Sequence, residues 1–337
     1  MQQATQKTNI PLITEEDSWQ SILAASTLSK EKLLDALNLN KHALLDDKEP
    51  GFPLRVPAPF LEKMAIGCPD DPLLLQILPQ KNEHKAVQGF LDEPLQEQEY
   101  SPVTGLIHKY KSRVLLVTTQ ACAIHCRYCF RRNFPYQEHA QSRTEWSTAL
   151  RYIETHPSVN EVILSGGDPL SLNDKSLAAL LRKVERIQTI KRIRIHTRML
   201  PCLPQRVTDS LCQLLESLSC QVILVAHCNH PNELADDTAQ AFNKLKKAGV
   251  TLLNQSVLLK SVNNDAETLA NLSEQLFQQG VLPYYLFVLD KVNGAAHFDL
   301  ARQEAASIHR ALQSKLPGFL VPKLAEEKPG EKNKTLL

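Results

Sequence analysis

The chain has 337 residues, enough for one large α/β unit with an extension and too many for a single small domain. Hydrophobic residues make up 43%, so a packed core is expected and global disorder is excluded. With 38 basic against 37 acidic residues the net charge is +1, so the chain lacks the basic footprint of a nucleic-acid-binding domain. The eight cysteines are dispersed apart from one trio, which argues against a disulfide scaffold and for a reducing, cytoplasmic compartment. The N-terminal run MQQATQKTNIPLITEEDSW has no apolar h-region. No apolar stretch approaches the roughly 18 residues of a membrane span, so neither a secretory signal nor a membrane partner is expected.

From about Asp17 to Leu95 the spacing predicts helices with short breaks. Thr14 ahead of Glu15, Glu16 and Asp17 has the form of a capping box, and Leu33, Leu34, Leu37 and Leu39 recur at roughly helical spacing. The proline-rich run EPGFPLRVPAPFLEKM must interrupt helices. Residues 1–100 therefore read as an accessory helical region, with core packing as the role of its apolar side chains and no legible chemistry.

The texture changes at Val114. Short β-branched runs recur at Val114–Thr119, Glu161–Ser165, Arg192–Thr197, Gln221–His227, Thr251–Leu259 and Tyr284–Asp290. Amphipathic helical stretches lie between them, at Thr144–Thr155, Ser176–Ile187 and Ala235–Ala248 among others. Strands alternating with helices predict a parallel sheet with right-handed crossovers. Six such units are too few for a closed eight-stranded barrel and suit an open, partial one over residues 101–317. Several strands end in polar or special residues, Gly166–Asp168, His196–Arg198, His227, Gln255 and Asp290, and strand C-termini are where barrel sites are built. Each alone reads equally as a turn residue or a satisfied buried polar group.

The most informative run is QACAIHCRYCFRRNF, directly after the first of these strands, with Cys122, Cys126 and Cys129 spaced Cys-x3-Cys-x2-Cys. Three thiolates so close converge only in a tight loop around a metal centre. A four-iron cluster normally takes four cysteines, so three ligands leave one iron open. Zinc wants four closed ligands. His125, His139 or Cys228 could complete a zinc site, though none sits at knuckle spacing. Ser165–Leu170, SGGDPL, follows the second strand, where paired glycines let backbone approach a ligand. Residues 318–337 read on composition as a short apolar anchor and a charged, solvated tail.

The trio with its following aromatic resembles the signature of the radical S-adenosylmethionine superfamily. More narrowly, the chain from about Gly105 onward resembles the lysine 2,3-aminomutases, above all their short members that make β-lysine for elongation factor P. The resemblance rests on the blocks GLIHKYKSRVLLVTTQACAIHCRYCFRR, VILSGGDPL, RIRIHTRMLPCLPQRVT, AHCNHPNEL, LLNQSVLLKSVN, PYYLFVLDKVNGAAHF and GFLVPKL. It implies a partial (β/α)6 barrel whose C-terminal segment folds over the mouth. It also implies a [4Fe–4S] cluster on Cys122, Cys126 and Cys129, with S-adenosylmethionine on the open iron and against Gly166, Gly167, Asp168, His227 and Gln255. Lys109, Tyr110 and Arg113 would take the phosphate of pyridoxal phosphate, and Lys334, followed by Thr335, would carry that cofactor. Lys332 is a near neighbour of that position.

Arg131 would bind the α-carboxylate of L-lysine, and Asp290 with Glu327 would hold its far ammonium. The implied reaction moves the α-amino group to the β-carbon. The implied partners are an electron donor such as flavodoxin or ferredoxin, and elongation factor P with its lysyl-transferring ligase. The chain departs from the larger family members at three places: lysine for arginine at Lys109, glutamate for aspartate at Glu327, and GEKNKT for a glycine run before Lys334. Their zinc-binding, oligomer-forming extension is not expected here. An aminomutase for another amino acid such as glutamate, a radical enzyme without pyridoxal phosphate, and a non-enzymatic electron carrier or zinc-stabilised binding protein remain as alternatives.

Overall fold

A computed structural model describes residues 18–39, 53–133 and 146–337. One sheet of nine strands follows chain order from β1 to β9. The six parallel strands expected from the sequence are β2 (Arg113–Thr119), β3 (Glu161–Gly166), β4 (Arg192–Thr197), β5 (Gln221–His227), β6 (Thr251–Val257) and β7 (Leu282–Phe287). Helices Trp146–Glu154, Asp174–Glu185, Asp209–Glu216, Asp236–Lys247 and Ala266–Gln278 occupy the crossovers. This is the partial (β/α)6 barrel expected from the alternation of strands and helices. The sequence reading missed three further strands. β1 (Leu106–Tyr110) pairs antiparallel with β2, β8 (Lys323–Glu326) pairs parallel with β7, and β9 (Thr335–Leu336) pairs antiparallel with β8.

The strand pattern explains both layers. Successive side chains point to opposite faces. Val162 and Leu164 of β3, Ile193 and Ile195 of β4, and Leu252 of β6 are buried in one apolar cluster with Leu177, Leu180 and Leu181 of helix Asp174–Glu185. The alternate positions, Ser165, Arg192, Arg194, His196 and Gln255, face a central cavity. Asn173, Thr208 and Asp265 cap three of the crossover helices, each side chain accepting from a backbone N–H of the first turn. Such caps contribute about 1 kcal/mol each.

Several strand limits shift. The strand expected over Thr251–Leu259 ends at Val257, because the Leu259 N–H leaves the ladder to donate to Asn263 Oδ1 at 2.7 Å. The strand expected over Tyr284–Asp290 runs Leu282–Phe287, so Asp290 lies in the loop beyond its end. Trp146 opens the helix expected from Thr144; Thr144, the capping box at Thr14 and His139 lie outside the described residues.

Two larger expectations are corrected. Among its described residues the N-terminal region carries only short helices, Trp19–Ala24, Lys30–Ala36, Ala58–Leu61 and Pro72–Leu75, joined by turns and irregular chain. Prolines and bends cut the apolar periodicity into single turns, and tertiary packing holds them. Leu33, Leu34, Phe60, Leu73, Leu74 and Ile77 form a core with Ile124 of the cysteine loop and Cys202. The C-terminal tail, read as solvated, is instead tied to the sheet. Leu336 pairs with Ala325, Thr335 with Glu326, and the Leu337 N–H donates to Leu324 O at 3.0 Å. Composition missed this because backbone bonds to β8, not apolar side chains, do the holding.

Candidate active site

The barrel encloses a cavity of about 850 Å³ that reaches from the cysteine loop to the C-terminal segment. Every residue assigned to the site on sequence grounds lines it: the three cysteines, Gly166, Gly167, Asp168, His227, Gln255, Arg131, Lys109, Tyr110, Arg113, Asp290, Glu327 and Lys334.

At one end, β2 stops at Thr119 and the chain turns into the cysteine loop. The neighbouring β3 turn braces it through backbone bonds, Gly167 N–H to Thr119 O and Asp168 N–H to Ala121 O, both 2.7 Å. Only glycine fits there. A Cβ on Gly167 would lie 2.5 Å from Ala121 O, and Gly166 holds φ +111°. The Asp168 carboxylate accepts from Thr197 Oγ1 and from the N–H groups of Leu170 and Arg198, so it ties β3 to the β4 turn. Burial pushes this carboxyl up, against the pull of those donors.

The N-terminal region grips the same loop from outside. Gln76 O accepts from the Arg127 N–H at 2.8 Å. The buried Glu83 carboxylate accepts from Arg127 Nε at 2.9 Å, from Arg127 Nη2, and from Arg132 Nη2 at 2.8 Å. Burial alone would push Glu83 up; the two guanidiniums hold it below its ordinary range. This region, in which no chemistry was legible, therefore shapes the metal loop. Among the described residues no three His, Cys, Asp or Glu side chains converge on a single ion-sized point. The three thiols instead share a cavity wall, which suits a multi-iron cluster with one thiolate per iron. Burial pushes all three thiols up, Cys129 to about 11, and coordination is what deprotonates such thiols.

Beside the loop, His227 of β5 and Gln255 of β6 stand in register. Burial and the Arg198 guanidinium push His227 down to about 3, so the imidazole is neutral. Its Nε2 lies 3.4 Å from the Tyr128 hydroxyl. Arg198 donates to that hydroxyl and to Gln76 Oε1, and Asn229 Nδ2 donates to both as well.

At the other end, Glu327 is the hub. Its carboxylate accepts from Lys109 Nζ at 2.6 Å and from Tyr110 OH and Lys334 Nζ at 2.5 Å each. Lys109 Nζ also donates to Lys328 O at 2.6 Å. These contacts bridge β1, at one edge of the open barrel, to the segment between β8 and β9 at the other. The Arg113 guanidinium lies 4.0 Å from the Tyr110 ring centre, and Lys334 Nζ lies 4.9 Å from that of Phe287. Glu327 is pulled down, burial opposing and its three partners winning, Lys334 foremost. Lys332 is exposed and does not line the cavity. Arg131 and Asp290 line the same cavity. Burial pushes Asp290 up to about 7, with Lys334 drawing it back.

Known proteins bear the same stamp. The radical SAM superfamily model matches residues 116–272. Over 332 residues the chain is 48% identical to the L-lysine 2,3-aminomutase of Haemophilus influenzae, covering 97% of each chain. It is 48% identical over 324 residues to the L-lysine 2,3-aminomutase of Escherichia coli K12, covering 95% of this chain and 94% of that one. The chain belongs to the lysine 2,3-aminomutase family of radical SAM isomerases. Among solved structures it resembles a radical SAM methyltransferase from Sphaerobacter thermophilus, with a TM-score of 0.46 and 16% identity over 66% of this chain and 68% of that one.

As a radical SAM isomerase it uses a [4Fe–4S] cluster and S-adenosylmethionine, and the open-walled cysteine loop and glycine cradle fit them. Of the remaining cysteines, Cys202 and Cys228 are buried and Cys68, Cys212 and Cys220 partly so, as expected of packing thiols. No helix among the described residues is long and apolar enough to cross a membrane. Sequence reasoning passed over Glu97, Tyr100 and Tyr285, which also line the cavity. His196, singled out as a polar strand end, also lines the cavity, whereas Glu97 carries no local signal.

Proposed function

We propose that this aminomutase converts L-α-lysine to β-lysine, with pyridoxal phosphate on Lys334, and that the β-lysine serves modification of elongation factor P through its lysyl-transferring ligase. One observation supports the reading: a single cavity is lined by the three thiols, by Lys334, and by an arginine and a carboxylate of opposite charge, Arg131 and Asp290. An amino acid with a far ammonium group suits that set of charges. Glutamate does not, since its side chain would meet Asp290 and Glu327 as like charges.

The residues fit pyridoxal phosphate. Two ammoniums and a hydroxyl already gather on one anion, the Glu327 carboxylate, and Arg113 stands beside them. The rings of Tyr285 and Phe287 lie near Lys334 Nζ and offer an aromatic wall for a ring. When bound, the cluster with S-adenosylmethionine supplies a carbon radical, and pyridoxal phosphate supplies a π-system for the migrating nitrogen.

The protein's own part is positioning. Arg131 would orient the α-carboxylate through a planar fork that lysine cannot imitate. Asp290, with Glu327 beside it, would select length, because an amino acid without the ε-amine leaves Asp290 without that partner, whereas Glu327 keeps its lysine partners. The Lys109–Glu327 contact would limit access of water to the reacting carbons. A small external protein such as flavodoxin or ferredoxin would supply the electron. Anaerobic turnover of L-lysine and L-glutamate, with product analysis, tests the reading. β-Lysine from lysine alone is the expected result; β-glutamate as the main product, or no lysine product from enzyme that cleaves S-adenosylmethionine, would overturn it.

A further inference from the structure

Arg131 lines the cavity but is only 5% exposed, and its guanidinium is held by the protein's own groups. Glu97 accepts from Nε and from Nη2, both at 2.7 Å, and Ser165 Oγ accepts from Nη1 at 3.1 Å. Three bonds from two elements therefore fix the plane of the fork. Glu97 opens the 3-10 helix Glu97–Tyr100, and the preceding Gln96 has left-handed backbone, φ +49°. In a 3-10 helix positions i and i+3 eclipse, so Glu97 and Tyr100 share a face. Both line the cavity, and the Tyr100 hydroxyl accepts the Gly330 N–H at 2.8 Å, in the segment that leads to Lys334. A non-glycine residue held in left-handed backbone at a site's edge marks a place where the surrounding fold dictates geometry.

We infer that Glu97 is a positioning residue: its carboxylate occupies the Nε–Nη2 edge of Arg131 and aims the Nη1–Nη2 edge at the substrate's α-carboxylate. This rests on the reading of Arg131 as the carboxylate ligand. An arginine has two edges that can take a carboxylate by two parallel bonds. With Glu97 on the side edge the guanidinium cannot rotate about its last torsions, and the rotamer entropy of the long side chain is spent before substrate arrives. Glu97 also neutralises the arginine. Recognition then depends on the direction of the N–H groups more than on net charge, which favours a planar carboxylate over other anions.

The rival arrangement is displacement, in which Glu97 is a resident anion that the substrate must push off. The two differ in sign. A positioning Glu97 raises affinity for lysine and a displaced one lowers it. The test uses holoenzyme with cluster, S-adenosylmethionine and pyridoxal phosphate, titrated with L-lysine and with 1,5-diaminopentane, which keeps the ammonium and lacks the carboxylate. Glu97→Gln should weaken lysine on the order of tenfold or more, the size of one charge-assisted hydrogen bond. Its affinity for diaminopentane should be unchanged.

Tighter lysine binding in Glu97→Gln overturns the inference in favour of displacement. Equal loss for both ligands overturns it in favour of a packing role. Arg131→Lys separates the layers. If it weakens lysine alone while Glu97→Gln does nothing, the arginine reading stands and the Glu97 inference fails. If Arg131→Lys leaves lysine binding intact, both fail. Should Glu97→Gln not fold, Glu97→Asp carries the same test, since it keeps the charge and falls one methylene short of the two-bond grip.

Discussion

The cysteine end and the lysine end of the cavity are built in opposite ways. The cysteine end is one contiguous loop, set by backbone bonds to the β3 turn and packed by the N-terminal core. The lysine end has no contiguous segment. Its central bond, Lys109 to Glu327, joins residues 218 positions apart across the open side of the barrel. A site held by local backbone bonds tolerates little change and keeps its shape on its own. A site assembled from the two edges of a sheet exists only once the fold has closed. The difference predicts that cluster chemistry survives damage at the lysine end, and that lysine chemistry does not survive damage at either end.

The largest effect comes from the cysteines. Cys122→Ala, Cys126→Ala or Cys129→Ala should each drop S-adenosylmethionine cleavage to background, because two thiolates cannot hold a cluster with one open iron. Iron content and anaerobic cleavage assays check it; a triple variant that still binds four irons would refute the assignment. Next, truncation after Gly330 removes Lys334 and β9. Lysine conversion should fall to background while iron content and uncoupled S-adenosylmethionine cleavage stay at full-length values. Loss of the cluster on truncation would show that the two ends are not independent.

Asp290→Asn should weaken lysine turnover by the cost of an unpaired buried charge, about 3–5 kcal/mol, with little effect on cluster assembly. Its titration sharpens the point. The carboxyl stands at about 7 in the free enzyme, so below that pH it is protonated and offers the ammonium no charge. The lysine side chain stays protonated up to about 10.4. Therefore kcat/KM for lysine should rise as pH increases through about 7. The same raised value means that ionising Asp290 costs stability, progressively from its unfolded range near 4 up to about 7 and in full above it. Asp290→Asn should flatten both trends; a kcat/KM profile unchanged in the variant would remove Asp290 from substrate binding.

Gly167→Ala probes the rigid end more gently. The added Cβ must move the Ala121 backbone, since the two atoms would stand 2.5 Å apart. A cost of roughly 1–3 kcal/mol is expected, read as a lower melting temperature and slower S-adenosylmethionine cleavage. Wild-type melting would mean that the loop is less tightly held than the backbone bonds indicate. The smallest effect belongs to Cys212→Ala, a partly buried thiol outside the cavity. It should change stability by less than about 1 kcal/mol and leave iron content alone.

Sequence alone determined whatever depends on local period and spacing. The six parallel strands follow from β-branched runs between amphipathic helices, because side-chain alternation and helical period are local properties of the chain. The cysteine loop was legible because its three thiols lie within eight residues, Cys122 to Cys129. The family resemblance proposed the rest residue by residue, including Lys334 in a tail whose composition argued for solvent, and the fold brings those residues to one cavity. What tertiary structure alone decided is who faces whom.

β1, β8 and β9 are too short or too polar to announce themselves, and they pair only because neighbouring edges offer unpaired backbone groups. Glu327 is one acid among many in the chain, and only closure of the barrel brings it to Lys109, Tyr110 and Lys334. Glu97 and Glu83 lie in a region whose spacing pointed to core packing and carried no legible chemistry, yet they hold the arginines around the cysteine loop. Charge pairing is non-local: it depends on distance in space, which the order of residues along the chain does not carry.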